Sequence, residues 1–243
     1  LNLLVRGVEV IQQPDTLLSL ESLNVRVQAW PLLKGKVEVD EVTLSQVAVN
    51  SANLIEGMQI KGVLGRFFLQ SHGVDLSNET AVVNRTELSD THIQLLMTDT
   101  TTTPKDTTAS APVNWKVNLH QLKLKNVSFG MKLPADSMKM AAYIGEATID
   151  DAKADLKNQF YGLKQFLLSG ASASYDTGEV QPSEGFDASH MAVRNIRIGL
   201  DSLLYEGRNM NAVIREITME ERSGLSITSL TGRLFSNDSI IRI

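Results

Sequence analysis

The most constraining feature of this chain is where its apolar residues fall. A half-buried strand alternates with period two. This sequence alternates, slips by one residue, and alternates again. Leu3, Val5, Val8 and Val10 set the pattern, and Leu18, Leu20, Leu23 and Val25 repeat it. It runs longer in Val37, Val39, Val42, Leu44, Val47 and Val49, and in Val117, Leu119, Leu122, Leu124, Val127 and Phe129. Ala142, Ile144, Ala147, Ile149, Ala152 and Ala154 follow the same rule. So do Phe166, Leu168, Ala171 and Ala173, and Ala212, Ile214, Ile217 and Met219.

In a regular strand, a slip of one residue throws every later side chain to the opposite face. Two devices keep an apolar set on one face. One is a two-residue hairpin, whose flanking residues pair across the turn. The other is a β-bulge, which inserts a residue and bends the strand. The slips at Arg6-Gly7, Lys61-Gly62 and Ser169-Gly170 contain a glycine that can turn. Those at Glu21-Ser22, Asp40-Glu41 and Arg215-Glu216 lack the residues that favour positive φ. A hairpin at every slip would leave strands shorter than usual. The expectation is a mixture: bulged, strongly curved strands, with true hairpins at some glycine-containing slips. The fold class is all-β with little helix, an extended, twisted and bulged sheet forming an open trough or a β-taco or solenoid-like body. A closed sandwich or barrel whose apolar face is simply core fits the same pattern.

Composition narrows the function classes. The chain has 243 residues, of which 42% are hydrophobic, enough to bury a core in one large β domain or two smaller ones. Net charge is −5 with no basic tract, which argues against nucleic acid as a partner. The absence of cysteine excludes disulfides, thiolate nucleophiles and Cys-ligated zinc. No apolar run approaches the roughly 18 residues of a membrane span. The chain opens on Leu1 inside an apolar pattern, so it reads as a fragment of something longer.

Two stretches interrupt the pulse. Residues 98–114 hold Thr100 to Thr103 and two prolines, and read as a linker or loop. Residues 176–189 are polar, with Gly178, Pro182 and Gly185, and read as a second loop. They divide the chain into β blocks at 1–97, 115–175 and 190–243. Trp30-Pro31-Leu32-Leu33-Lys34-Gly35 can form one helical turn, with proline inside its start and glycine past its end. Residues 150–161 keep period two through Ala152, Ala154 and Leu156 and read as strand. A longer repeat sets residues 57–68 against 224–235, with Gly57 matching Gly224 and Gly65-Arg66 matching Gly232-Arg233. It suggests a repetitive β architecture whose units cover one another's apolar faces.

Catalytic motifs are absent, and the chain reads as a non-enzyme without cofactor or metal. His72, His92, His120 and His190 are scattered without ligand spacing. Asp176-Thr177-Gly178 spells an aspartic-protease triplet, but that chemistry needs a second aspartate and no second copy exists. Asp150, Asp151 and Asp155 lack calcium-loop spacing and read as a solvated edge that discourages aggregation. Asp followed by Ser or Thr and then an aliphatic residue, Met or Thr occurs six times. The triplet resembles an O-glycosylation sequon of certain bacterial envelope proteins, which would make Thr16, Thr100, Thr107, Ser137, Ser202 and Ser239 candidate sites. Asp-Ser and Asp-Thr are also ordinary turn starters.

Several stretches carry a family resemblance. Leu18-Ser19-Leu20-Glu21-Ser22-Leu23 leads through Trp30-Pro31-Leu32-Leu33-Lys34-Gly35-Lys36 into Val37-Glu38-Val39-Asp40-Glu41-Val42-Thr43-Leu44. A strand, this Pro-Leu-Leu turn and a second strand resemble the N-terminal signature of AsmA-like proteins. Ile60-Lys61-Gly62-Val63-Leu64-Gly65, Gly73-Val74-Asp75-Leu76 and much of 193–234 look like TamB-type proteins (translocation and assembly module). In the last stretch the likeness rests on Leu200-Asp201-Ser202-Leu203, Val213-Ile214-Arg215-Glu216, Glu221-Arg222-Ser223-Gly224-Leu225 and Leu230-Thr231-Gly232-Arg233.

The resemblance implies an N-proximal fragment of a cell-envelope protein anchored in the inner membrane of a Gram-negative bacterium and spanning the periplasm. It implies an apolar trough that passes phospholipid acyl chains toward the outer membrane. It further implies a role in outer-membrane biogenesis and protein secretion, with an Omp85-type assembly protein as partner. On this reading Val117, Leu119, Leu122, Leu124, Val127 and Phe129 line the trough. The alternative is a non-enzymatic β-sandwich or β-solenoid adhesin or glycan-binding module, for which Trp30 and Trp115 are few aromatic platforms.

Overall fold

The structure is a computed structural model that describes residues 1–12, 15–33, 38–51, 54, 57–75, 78–97, 114–178 and 181–242. The pulsed segments form strands β1 (Asn2–Gln12), β2 (Asp15–Val27), β3 (Val39–Asn50), β4 (Met58–Asp75), β5 (Thr80–Met97) and β6 (Lys116–Leu133). They continue in β7 (Met138–Asp155), β8 (Phe160–Leu163), β9 (Gln165–Asp176), β10 (His190–Glu206), β11 (Asn209–Glu221), β12 (Ser226–Ser236) and β13 (Ile241–Arg242). The one α-helix among the described residues, α1 (Ala29–Leu33), falls at the Trp30-Pro31 turn. A 3₁₀ turn, Pro134–Asp136, closes the β6–β7 hairpin.

All 13 strands belong to one sheet, laid out almost in chain order, so the sequence blocks share it. β8 and β9 sit end to end, both between β7 and β10. Neighbours run antiparallel except β5 and β6, which pair in parallel from Thr80 beside Lys116 to Leu96 beside Lys132. The chain therefore leaves β5 at one end of the sheet and enters β6 at the other. The long polar stretch falls in the connection that this geometry demands. β1 forms one edge, and at the other β13 covers only Phe235 and Ser236 of β12. The sheet is open, not a barrel.

The slip residues explain how these strands keep one apolar face. At the first slip the ladder skips a matched pair without changing register. On β3 and β4, Ser45 pairs with Arg66 and Val47 with Leu64, leaving Gln46 opposite Gly65. The skipped position recurs as Gly65 opposite Asp90, Asp90 beside Asn126, and Asn126 opposite Gly145. Positive φ appears along this line at Gly7 (62°), Gln46 (49°), Asp90 (51°), Asn126 (53°), Gly170 (60°) and Asn195 (54°). A single left-handed residue turns the strand and sends two successive side chains outward. The apolar pattern then resumes on the inner side. The result is a crease that runs across the sheet.

A second crease lies six residues away. It passes His120 and Asp151, the latter at φ 50°, and then the β8–β9 break at Lys164. Here the device is partly a true bulge, with register shifts at Arg26/Val27, Ser71/Gly73 and Leu200/Ser202. Bulged, bent strands are as the sequence implied, but the hairpins expected at glycine slips do not form. Arg6-Gly7, Lys61-Gly62 and Ser169-Gly170 all lie inside strands. Gly62 is not a slip at all. It stands in the ladder between Val49 and Ile93, and the crease on β4 falls three residues later, at Gly65.

The acidic cluster needs a second correction. Asp150, Asp151 and Asp155 are not on an edge, because β7 has neighbours on both sides. Asp151 stands at the second crease, accepting from Lys164 Nζ (2.9 Å) and contacting His120 Nδ1 (3.0 Å). The lysine hydrogen bond, then the histidine one, hold its carboxyl below the ordinary aspartate value. Asp155 accepts from Asn158 in the turn after β7.

The loop after β9 is organised by Asp187. Its carboxylate accepts from the backbone N–H groups of Ser183 and Ser189, both at 3.0 Å, and contacts His190 Nδ1 at 3.1 Å. These bonds, the backbone ones first, lower its pKa to about 2. A carboxylate with a depressed folded pKa stabilises the fold above its unfolded value of about 3.9, and that contribution is lost as pH falls toward the folded value. Asp187 is therefore expected to titrate near pH 2 by carboxyl NMR, and Asp187→Ala to make residues 177–189 cleavable by protease at neutral pH. Titration near pH 4 with unchanged cleavage would contradict this.

Candidate functional site

The candidate site is the inner, apolar face of the sheet, built by residues beside the creases. One row of directly paired side chains crosses eleven strands. It starts at Val5 on β1 and passes Leu23, Leu44, Phe67 and Leu88 to Leu124 on β6. From there it continues through Ala147, Leu168, Ile198 and Ile217 to Leu230 on β12. No polar residue interrupts it. At about 4.8 Å per strand, ten steps make an apolar stripe of roughly 48 Å. A second row beyond the first crease includes Val8, Leu20, Val47, Leu64, Thr91 and Val127. Its polar member, Thr91, is buried and donates to the Ser89 carbonyl at 3.1 Å.

The six residues singled out on β6 all lie on this face. Leu119 pairs with Ala152, Leu122 with Ile149, Val127 with Ile144 and Phe129 with Ala142, while Val117 and Leu124 face Ala154 and Ala147. Five are half-buried and Phe129 is 41% exposed.

This face is not the inside of a closed core. The buried apolar residues among those described are Ala81, Ala147, Ala171, Ala212 and Ile214, and no large side chain is fully buried. Ala147 and Ala171 flank the first crease on β7 and β9. The chain exposes 15889 Å², against roughly 10,700 Å² for a compact monomer of this mass. Leu3, Phe129, Met140 and Tyr161 are among the large apolar side chains left exposed.

The outer side of the creases is polar and stitched. Asn126 donates to Asp90 at 2.8 Å, joining the two left-handed residues of the parallel pair. Gln28 donates to Asp40 at 2.7 Å, and Arg215 bonds Asp201 across the β10–β11 pair. These exposed contacts contribute little stability each, but they place charge outside and leave the inner side apolar.

Two recesses lie at opposite strand ends. One, of about 1010 Å³, is lined mainly from outward positions, among them Asn118, His120, Asp151, Lys164, Asn211 and Phe235, with Leu119, Ala152 and Leu203 also contributing. The other, of about 1080 Å³, draws mainly on outward positions such as Lys61, His92, Gln94, Ser128, Lys132 and Lys139, along with Phe129, Met131 and Met140.

The candidate glycosylation positions do not gather at one place. Thr16 stands at the start of β2 and Ser137 closes the 3₁₀ turn at φ 48°. Ser239 lies in the turn after β12, where its N–H donates to Asn237, and Ser202 is half-buried inside β10 opposite Val213. Thr100 and Thr107, with most of 98–114, lie outside the described residues. Among the described residues no three His, Cys, Asp or Glu side chains group as metal ligands. His92 instead contacts Ser128 (2.5 Å) and Gln94 (2.9 Å) on the outer face.

Sequence reasoning missed two things: the alignment of the creases from strand to strand, and the concentration of methionine at one end. The second was visible in principle, since every methionine falls on an apolar beat of the pulse. Comparison with protein-family models and with curated proteins returned no match.

Proposed function

We propose that this chain is a segment of a periplasm-spanning envelope-biogenesis protein of the AsmA-like or TamB type, whose apolar β trough conducts phospholipid acyl chains toward the outer membrane. One observation carries the reading. An uninterrupted apolar stripe crosses eleven strands of a sheet that is neither closed nor filled by large side chains. Acyl chains need only such a continuous dry surface, worth about 0.8 kcal/mol per buried CH₂. No fixed catalytic group is required, and the polar residues of the creases point away from the path. Inner-membrane anchoring of the parent protein and an Omp85-type partner belong to the same proposal and rest on the sequence resemblance.

Native mass spectrometry of protein expressed in a Gram-negative host tests the reading. The expected spectrum holds adducts at phospholipid masses that vanish on delipidation. Bare protein alone, from gentle detergent-free preparation, would refute it.

A further inference from the structure

The 1080 Å³ recess is built mainly from the outer face, on the side away from the apolar stripe. Its centre is Tyr143, which is 40% exposed. Ser128 on β6 and Ser172 on β9 stand directly opposite it, one on each side. His92 on β5 lies beside Ser128 and contacts it (2.5 Å), and Gln94 contacts the other ring nitrogen of His92 (2.9 Å). An exposed aromatic ring is thus flanked by hydroxyl, amide and imidazole groups, each able both to donate and to accept.

Gly130 lies in the floor of the same recess, between Gln94 and Ala141. A glycine inside a strand weakens it and often marks the close approach of another backbone or of a ligand. At Gly62, Gly65 and Gly145 the backbone explains the glycine, because a Cβ would meet a carbonyl oxygen at 2.9, 2.8 and 2.9 Å. At Gly130 nothing lies nearer than 3.8 Å, and φ is not positive. The fold does not require a glycine there, and the space above it is open to a ligand.

The recess also carries an excess of positive charge. Lys132 and Lys139 stand directly opposite each other on β6 and β7, on the same outer face as Ser128 and Tyr143. Like charges so placed are destabilising. Neither lysine has an ion pair among the described residues, and neither do Lys61 and Arg222 on the same recess. Against these four cations stand two carboxylates, Asp176 opposite Lys139 and Glu221. Glu221 is buried, and its oxygens accept from the N–H groups of Ser223 (2.6 Å) and Ala192 (3.3 Å). In a chain of net charge −5 this surplus is set for an anion. The opposite recess has unpaired cations too, Lys153 and Arg233, but there Leu204 and Phe235 share the outward row of Lys153.

We infer that this outer recess binds an acidic saccharide, a sugar chain that carries carboxylate or phosphate groups. Tyr143 offers its ring to the C–H face of a sugar, and the hydroxyl and amide groups around it match hydroxyls that donate and accept in turn. Lys132 and Lys139 take the acidic group as compact, mobile point charges. From Lys61 on β4 to Ser174 on β9 the recess crosses four strand steps, about 19 Å, room for several sugars in a row. An acidic peptide fits less well. β6 and β7 are paired on both sides, so no strand edge is open for a peptide backbone to join. The site lies on the face opposite the trough and does not depend on the trough reading.

Isothermal titration calorimetry of the full chain at low ionic strength tests the assignment with three probes. They are a hyaluronan hexasaccharide, which alternates glucuronate with N-acetylglucosamine, the neutral N-acetylglucosamine hexamer, and hexaglutamate. Saturable binding of hyaluronan is expected, with no measurable binding of the other two. Lys132→Gln with Lys139→Gln is expected to weaken it about tenfold, each exposed charge contact being worth up to about fivefold. Gly130→Leu is expected to abolish binding with a urea midpoint at or above that of the parent, since a Cβ there meets no atom nearer than 3.8 Å. Lys153→Gln with Arg233→Gln, at the opposite recess, is the control and should bind as the parent does. No binding of hyaluronan, or binding that survives both the lysine pair and Gly130→Leu, overturns the site. Equal binding of the neutral hexamer or of hexaglutamate overturns the acidic saccharide as its ligand. None of these outcomes bears on phospholipid in the trough.

Discussion

Gly145→Val is expected to destabilise the sheet by about 3 kcal/mol, at the upper end of what overpacking costs. Gly145 lies on the first crease opposite Gly170, whose φ is +60°. A Cβ there stands 2.9 Å from the Gly170 carbonyl oxygen and 3.1 Å from that of Ser169. Both are backbone atoms held in the ladder, so no flexible side chain can yield. Gly65 is in the same position opposite Asp90, with a Cβ 2.7 Å from Asp90 Cβ and 2.8 Å from its carbonyl oxygen. Gly7 is the control. It turns its strand at φ +62° with nothing within 4 Å, so alanine there meets only the left-handed penalty of about 1–2 kcal/mol. Urea midpoints compare the three. Gly145→Val and Gly65→Val should fall well below Gly7→Ala. Equal midpoints would mean that the crease is not a close approach of backbones.

The second large effect concerns lipid rather than stability. Leu124→Lys is expected to abolish phospholipid co-purification while costing about 1–2 kcal/mol in stability. Leu124 is half-buried at the centre of the apolar stripe. On an open trough the lysine stem lies along the apolar surface and its ammonium reaches water. In a closed core the same charge would be stranded, and the protein would lose several kcal/mol or fail to fold. Thermal denaturation and lipid extraction of one preparation separate the cases. A folded variant that retains its lipid contradicts the trough. An unfolded one contradicts the open geometry.

The legibility of this fold follows from what each residue depends on. The pulse could be read because it needs only the side to which each residue points, and the register confirms that Val117 through Phe129 share a face. The bending residues were partly legible. Asn126, Asp90 and Asn195 are of the types that tolerate positive φ, whereas Gln46 carries no such mark and is placed by Gly65 on the next strand. Lys61-Gly62 misled because a glycine there replaces an inward apolar side chain instead of turning the strand. The parallel β5–β6 pairing was not legible, since it is decided by contacts 36 residues apart, as Thr80 with Lys116. The methionine end was legible only in part: Met131 and Met140 pair across the short β6–β7 hairpin, whereas Met58 and Met97 meet across 39 residues.

One measurement bears most directly on the claim that lipid occupies the inner face. p-Benzoylphenylalanine placed at Leu122 points into the trough, and at Lys123, its neighbour, points outward. The two sites share a strand, a depth and a local stability. After irradiation in cells of a Gram-negative host and purification, phospholipid attached at Leu122 and absent at Lys123 is the result this account predicts. No lipid at Leu122, or equal lipid at both, would contradict it.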